Sequence, residues 1–280
     1  MKKVALGALI ALVIGVVGLF TVGGNAFSMG KNANINEQET VSAKGIKTMK
    51  INVDVGEVRI REGKGDQIDI KLQGSVAEKL KDQIKFKVVK SETKVEVVVR
   101  ESNKFFIQIP FVNSGIQSER ILDVSIPKSL LDKLEVNTNV GEIDIEGVEP
   151  TELYANSDVG EIYVNQYSGN GNYVTDVGNI ELENISGKTN AETDTGDIDI
   201  ALIDMKDDLE LRSDIGELKV TFAEEPGNIE FDLNSELGDV SISGFKGYKD
   251  SDSRSIITQI GTNGPTLKAT TEIGDISIKR

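Results

Sequence analysis

Hydrophobic and polar positions alternate along most of this chain, and the alternation repeatedly changes parity at a glycine. Leu134, Val136, Thr138 and Val140 lead up to Gly141, and Ile143 and Ile145 follow it on the opposite parity. Leu209, Leu211, Ser213 and Ile215 precede Gly216, with Leu218 and Val220 beyond it. Phe231, Leu233, Ser235 and Leu237 stand in the same relation to Gly238, with Val240 and Ile242 after it. A period of two is the signature of a half-buried strand, and a slip of one residue would turn every apolar side chain to the wrong face. Two short strands therefore meet at a glycine corner, where positive φ meets no Cβ clash and a nearby Asp or Asn can bond the turn backbone. Further on, about seven residues past each glycine, stands another apolar residue: Val148, Tyr167, Ile185, Ile203, Phe222 or Phe245. A second glycine often follows, as at Gly169, Gly187 and Gly247. That spacing predicts a third side to the coil.

The pattern is a repeat. NTNVGEIDI, NSDVGEIYV, VTDVGNIEL, ETDTGDIDI, RSDIGELKV, NSELGDVSI and TTEIGDISI recur between 134 and 280. Subtracting the numbers of Gly141, Gly160, Gly178, Gly196, Gly216, Gly238 and Gly274 gives steps of 19, 18, 18, 20, 22 and 36, the last being twice 18. An earlier copy, INVDVGEVRI, surrounds Gly56. A period near 20 predicts an all-β parallel solenoid with about 18–20 residues per rung. Its regular repeats occupy 134–280, after a less regular β region at 46–133 that holds a hairpin turning near Glu92 and a helix-capable stretch from Val76 to Gln83. About eight rungs at about 4.8 Å each make a rod about 40 Å long. The double interval before Gly274 reads as a degenerate rung carrying a loop. The final Ile278-Lys279-Arg280 reads as an open edge shielded by its cations.

Stacking turns each repeated residue into a column. Thr138, Ser157, Thr175, Thr193, Ser213, Ser235 and Thr271 share the inward parity and predict a buried hydroxyl ladder, each group donating to the next. Two positions before the glycine stand Asn139, Asp158, Asp176, Asp194, Asp214, Glu236 and Glu272. Immediately after it stand Glu142, Glu161, Asn179, Asp197, Glu217, Asp239 and Asp275. Both columns are predicted to face outward, where like charges about 4.8 Å apart cost only about 0.9 kcal/mol per pair in water.

Composition then narrows the chemistry. With 31 Lys and Arg against 46 Asp and Glu, the formal charge of −15 disfavours nucleic acid as a partner. The chain has no histidine to activate a nucleophile, and no cysteine for disulfides or thiolate metal sites. Catalytic, cofactor-binding and metal-ligating residues are assigned to none. The carboxylate columns could collect Ca²⁺ through oxygen ligands, but neither a nonapeptide calcium roll nor an EF-hand loop is present. Paired carboxylates also serve glycosidases, yet every rung carries the pair, whereas catalysis needs one pair set apart by its surroundings. A non-catalytic binding or scaffold module is therefore the leading reading, with a polysaccharide-active β-helical enzyme or a structural spacer as alternatives. Tyr154, Tyr163, Tyr167 and Tyr173 fall on adjacent rungs and form a candidate surface-contact patch for sugar or peptide. The lysine-rich stretch 77–104 reads as the wet face of a sheet.

Val4 to Val22 carries no charge, and nineteen helical residues would span about 28 Å, close to a bilayer's hydrocarbon thickness. Lys2 and Lys3 before it predict a cytoplasmic N-terminus with the remainder outside the cell membrane. A cleaved signal peptide ending near Ala26 would export the same region. The expected layout is a membrane anchor at 1–22, a flexible polar linker at 23–45, and then the solenoid.

The phrases DVGEVRI at 54–60, LDVSIPKSLLDKLEVNTNVGEIDI at 122–145 and the later copies through EIGDISI at 272–278 resemble the bacterial adhesin-like β-strand-repeat family. The resemblance implies a right-handed β-helix-like fold and an extracytoplasmic location, with an envelope protein or wall polymer as partner. It brings no catalytic residues. The anchored layout is similar to that of a protein from a cell-envelope stress locus of Gram-positive bacteria.

Overall fold

The computed structural model describes residues 32–102, 120–128, 131–246 and 253–280. The expected membrane segment at 4–22 lies outside them, and among the described residues no helix is long and apolar enough to cross a membrane. The strands run in chain order as follows. The N-terminal region contributes β1 (Asn32–Ser42), β2 (Thr48–Val55), β3 (Glu57–Gly63), β4 (Gln67–Ala77), β5 (Ile84–Lys90), β6 (Lys94–Glu101) and β7 (Arg120–Pro127), with one helical turn at Glu78–Lys81. The repeats contribute β8 (Lys133–Val140), β9 (Ile143–Glu146), β10 (Glu152–Val159), β11 (Ile162–Ser168), β12 (Asn170–Val177), β13 (Ile180–Ser186), β14 (Thr189–Thr195) and β15 (Ile198–Leu202). They continue through β16 (Leu209–Ile215), β17 (Leu218–Phe222), β18 (Ile229–Leu237), β19 (Val240–Ser243), β20 (Ser255–Ile260), β21 (Thr266–Ile273) and β22 (Ile276–Lys279).

These strands form two 11-stranded sheets, one of order β20-β18-β21-β16-β14-β12-β10-β8-β2-β6-β5 and the other β1-β4-β7-β3-β9-β11-β13-β15-β17-β22-β19. In each repeat the strand before the corner glycine joins the first sheet and the strand after it joins the second. Pairing is parallel through the body of both sheets, in register from one repeat to the next. The inner faces bury Val, Ile and Leu from every rung in one continuous core. This is a β-solenoid with two sides.

The third side predicted from the spacing is not formed. Tyr167 and Ile185 stay in β11 and β13, where the residues just before them, Gln166 and Asn184, take φ of 59° and 52°. One left-handed residue changes parity within a strand as a β-bulge does, so the side chain seven positions past the glycine returns inward without a new corner. Where no such residue intervenes, the inward place goes to Leu202 and Ile203 is left 52% exposed.

The ends depart from chain order. β2 and β3, the early copy around Gly56, lie between β6/β7 and β8/β9. β21 and β22, last in sequence, lie between β16/β17 and β18/β19, so they are not the open edge expected of them. The supposed degenerate rung before Gly274 supplies β20, an antiparallel cap on β18. Residues 32–42, read as linker, form an edge strand paired antiparallel with β4 over its whole length. Its polar sequence reflects a strand that buries only Ile35. The hairpin of β5 and β6 forms as expected, with Lys85 and Lys87 on the wet face.

Candidate binding surface along the glycine corner

The corner glycines form a column whose neighbours identify the stacking order. A Cβ on Gly178 would lie 2.0 Å from the carbonyl oxygen of Gly160, and one on Gly216 would lie 1.8 Å from that of Gly196. Gly274 faces Gly216 in the same way, and Gly238 faces Gly274. Gly178, at φ 155°, is in a region that only glycine populates readily. Gly141 packs on Gly56, whose own nearest neighbour is the Arg120 backbone at 3.0 Å. Two constraints thus require glycine at the corner: the backbone angle, and a carbonyl from the adjacent rung where the side chain would begin.

That inward-facing carbonyl also explains the hydroxyl column. Ser157, Thr175, Thr193, Ser213, Ser235 and Thr271 are buried as expected, but they do not bond one another. Thr175 Oγ1 donates to the Gly160 carbonyl at 3.0 Å, Thr193 to Gly178 at 3.1 Å, Ser213 to Gly196 at 3.1 Å and Ser235 to Gly274 at 2.8 Å. Hydroxyls one rung apart are too far for a direct bond of about 2.8 Å, while the glycine carbonyl lies between them. The strand ladder leaves that acceptor open, and the hydroxyl satisfies it. Thr138, at the first regular rung, is buried without a partner.

The residue just before each glycine overturns the parity expectation. Val140, Ile215 and Leu237 continue an inward alternation in the sequence, yet the corner turns this position out of the core. Val159 is 43% exposed, Val177 44% and Leu237 60%. The pairing register joins Val55, Val140, Val159, Val177, Thr195, Ile215, Ile273 and Leu237 into one column. At about 4.8 Å per strand it runs about 34 Å along the rod's edge. A groove of about 680 Å³ covers part of it, lined by Val140, Val159, Val177 and the glycines beside them, and reaching Glu57, Glu142, Glu161 and Arg120.

The two acidic columns flank this stripe and face outward as predicted. Part of the second column has a structural role. The side chains of Asn179, Asp197 and Asp275 accept from the backbone N–H of Asp197, Glu217 and Asp239 on the neighbouring rung at 2.8–2.9 Å. The charge on the rims is otherwise matched only in part, by Arg212 on Asp214 at 3.2 Å. Carboxylates on the sheet faces find cations, as in Lys50–Glu135, Asp199–Lys219 and Lys268–Glu210, but among the described residues no ion pair reaches Asp158, Asp176, Asp194 or Glu161. Burial first, then repulsion from Asp214 and Asp176, holds the Asp194 carboxyl above its usual pKa. Glu142 is raised by burial and then by Glu57, Asp144 and Glu161. Glu135 is lowered instead, chiefly by its bond to Lys50.

At the Gly56 end, carboxylate oxygens of Glu57, Glu142 and Asp144 lie within 4.8 Å of one another. Two of the three are already matched, Glu57 by Arg59 and Asp144 by Arg61, so the trio is a salt-bridge network on its own terms. Arg120 is buried against Glu101, within ion-pair range, although its Nε and Nη1 make no aligned hydrogen bond.

The tyrosines do not assemble into the predicted patch. Tyr167 and Tyr173 are core residues on inward positions of β11 and β12, 2% and 0% exposed. Gly169 and Gly171 leave room for them, since a Cβ there would come within 2.6 Å of Tyr167 Oη and 2.3 Å of Tyr173 Oη. Burial raises both phenols above their usual pKa. Tyr154 and Tyr163 lie on the outer faces of different sheets. Lys133 Nζ sits 4.1 Å from the Tyr154 ring centroid, and Tyr163 Oη donates to Glu183 at 2.9 Å. Adjacent rungs in sequence do not guarantee a shared face.

Several solved structures are similar to the chain over most of its length. Over 88% of this chain and 99% of the other, it is similar to a "putative cell adhesion protein" from Clostridium sporogenes, at 16% identity and a TM-score of 0.40. A "putative adhesin" from Parabacteroides distasonis matches at 11% identity and a TM-score of 0.41, over 91% of this chain and 98% of that one. One from Bacteroides fragilis matches at 11% and 0.40, over 87% and 97%. No curated protein matches the chain. Residues 46–175 and 172–279 each match one family description, Toastrack DUF4097, and together they cover nearly all of the solenoid: the chain belongs to the Toastrack DUF4097 family.

Proposed function

We propose that this protein is a non-catalytic, adhesin-like binding or scaffold module, held at the cell membrane by residues 4–22 and displayed outside the cell. The observation that carries the reading is the corner edge, a column apolar at seven of its eight positions and broken at Thr195, between two largely acidic rows along the length of the rod. A soluble protein rarely keeps so ordered an apolar surface in water without a use for it. The repeated chemistry favours recognition over turnover, because the acidic pairs recur with the fold and the hydroxyls are committed to glycine carbonyls. The layout of anchor, tether and solenoid is similar to that of LiaG, from the Lia cell-envelope stress locus, and we place the protein in that response. Ca²⁺ is a secondary candidate ligand for the rims.

The test is capture from native envelope by the immobilised full chain, with Ca²⁺ and with chelator. Saturable retention of one identified protein or wall polymer is the expected result, and calcium dependence would bring the carboxylate columns into the site. No retention by chain with an intact β spectrum would leave a spacer. Release of sugar from wall polymer, abolished by a single carboxylate substitution, would make it an enzyme.

A further inference from the structure

Resting on that reading, the geometry points to a specific kind of occupant: the corner groove binds a basic amphipathic helix of a partner polypeptide, apolar face down on the stripe and Lys or Arg reaching both rims.

Three observations carry this. First, the stripe is apolar at every position but Thr195, and it is open at Val159 and Val177, each more than two-fifths exposed, and at its far end on Leu237 at 60%, with Val55, Val140, Ile215 and Ile273 half-buried. Second, the rims supply net negative charge on both sides of one line: Arg212 is engaged with Asp214 and the groove's Arg59 and Arg120 with Glu57 and Glu101, while among the described residues no cation pairs with Asp158, Asp176 or Asp194. A polycation would relieve this repulsion, and an anionic headgroup or nucleic acid would add to it. Third, the shape suits a helix better than a strand. A helix shows one apolar face per turn of 5.4 Å with basic residues on either flank, near the rung spacing of about 4.8 Å. A strand repeats a face only every 6.6 Å or so and points its other side chains away from both rims. About 22 helical residues match the 34 Å or so of stripe.

The chain's own segment 103–119, between β6 and β7 in sequence, holds the hydrophobic run Phe105, Phe106, Ile107 and Ile109, so it is the competing occupant. It carries one lysine, Lys104, and one glutamate, Glu119, for a net charge of zero (1 − 1). Nothing in it answers the rims, and charge complementarity therefore favours a separate basic partner.

The test is fluorescence anisotropy of a labelled Leu/Lys helical peptide of about 22 residues titrated with the full chain. Saturable one-to-one binding is expected. It should weaken by about tenfold or more in the triple variant V159S/V177S/L237S, and equally in D158N/D176N/D194N, with thermal melts confirming that both fold. A Ser/Lys peptide of the same charge should bind far more weakly. The proposal is overturned if either variant binds as tightly as the natural chain, or if the Ser/Lys peptide does. It is also overturned if the peptide binds only after 104–118 are replaced by Gly-Ser, which would assign the groove to the chain's own segment. Envelope capture that survives both triple variants would sink the groove assignment and leave the binding-module reading standing. Failure of capture by the natural chain would sink that reading whatever the peptide does.

Discussion

The middle of the rod and its two ends solve different problems with the same phrase. From β8 to β17 each rung stacks on its predecessor, every glycine carbonyl meets the next glycine, and every corner hydroxyl after Thr138 has its acceptor. At the ends chain order breaks down. The early copy at Gly56 and the late copy at Gly274 are each enclosed by rungs nearer the end, and antiparallel strands β1, β4, β5 and β20 lie beyond. A parallel stack exposes a row of unpaired backbone groups at each terminus, and reversal of strand direction, polar edges and lysines block further stacking. The middle is optimised for propagation and the ends for stopping it.

Removing the enclosed late rung should have the largest effect. A chain ending at Gly264 lacks β21 and β22, so β18 to β20 lose the layer that joins them to the rest. We expect a loss of about 5 kcal/mol or more and rapid proteolysis between 223 and 264, followed by melting and limited digestion. An unchanged melt would mean that β18 restacks directly on β16 and that enclosure is dispensable.

Next come the corners themselves. Gly178→Ala should cost about 3 kcal/mol, combining a disfavoured φ with the Gly160 carbonyl in the way. Gly56→Ala, where the nearest atom is 3.0 Å distant rather than 2.0 Å, should cost clearly less in denaturant melts. Equal losses would show that backbone angle alone sets the requirement for glycine.

The hydroxyls sharpen the contrast further. Thr175→Val strands the Gly160 carbonyl and should cost about 1–2 kcal/mol. Thr138→Val removes a buried hydroxyl that has no partner, and should be neutral or slightly stabilising by the same measurement.

The smallest effect is electrostatic. Asp194 faces Asp176 and Asp214, with Arg212 as the nearby cation, and its carboxyl is raised in the fold. A raised acid contributes stability below its unfolded pKa of about 3.9 and loses it as pH rises through the folded value. Asp194→Asn should therefore stabilise the protein at pH 7 by a few tenths of a kcal/mol, roughly, a gain that vanishes below about pH 4. A gain independent of pH would exclude the charge as its cause.

Much of this was legible beforehand. The period, the glycine corners, the inward hydroxyls and the outward carboxylates all follow from strand parity, a local property carried by neighbouring residues. The hydroxyls' acceptors were hidden, because they lie on a different rung and depend on where a carbonyl points. The stripe at Val159 and Val177 was hidden for a related reason: parity extrapolates a straight strand, and the corner bends the last residue out. Tyr167 and Tyr173 looked like a surface patch because adjacency in the repeat does not distinguish two faces.

The sequence by itself determined that this chain is a glycine-cornered parallel β stack, since alternation, period and corner chemistry act within a few residues. Only the tertiary structure decided the order of rungs at the ends, the closure into two sheets and the exposed acidic-rimmed stripe. The repeated phrases are nearly interchangeable as partners, so local pattern cannot rank them, and it is packing between distant copies that selects one arrangement.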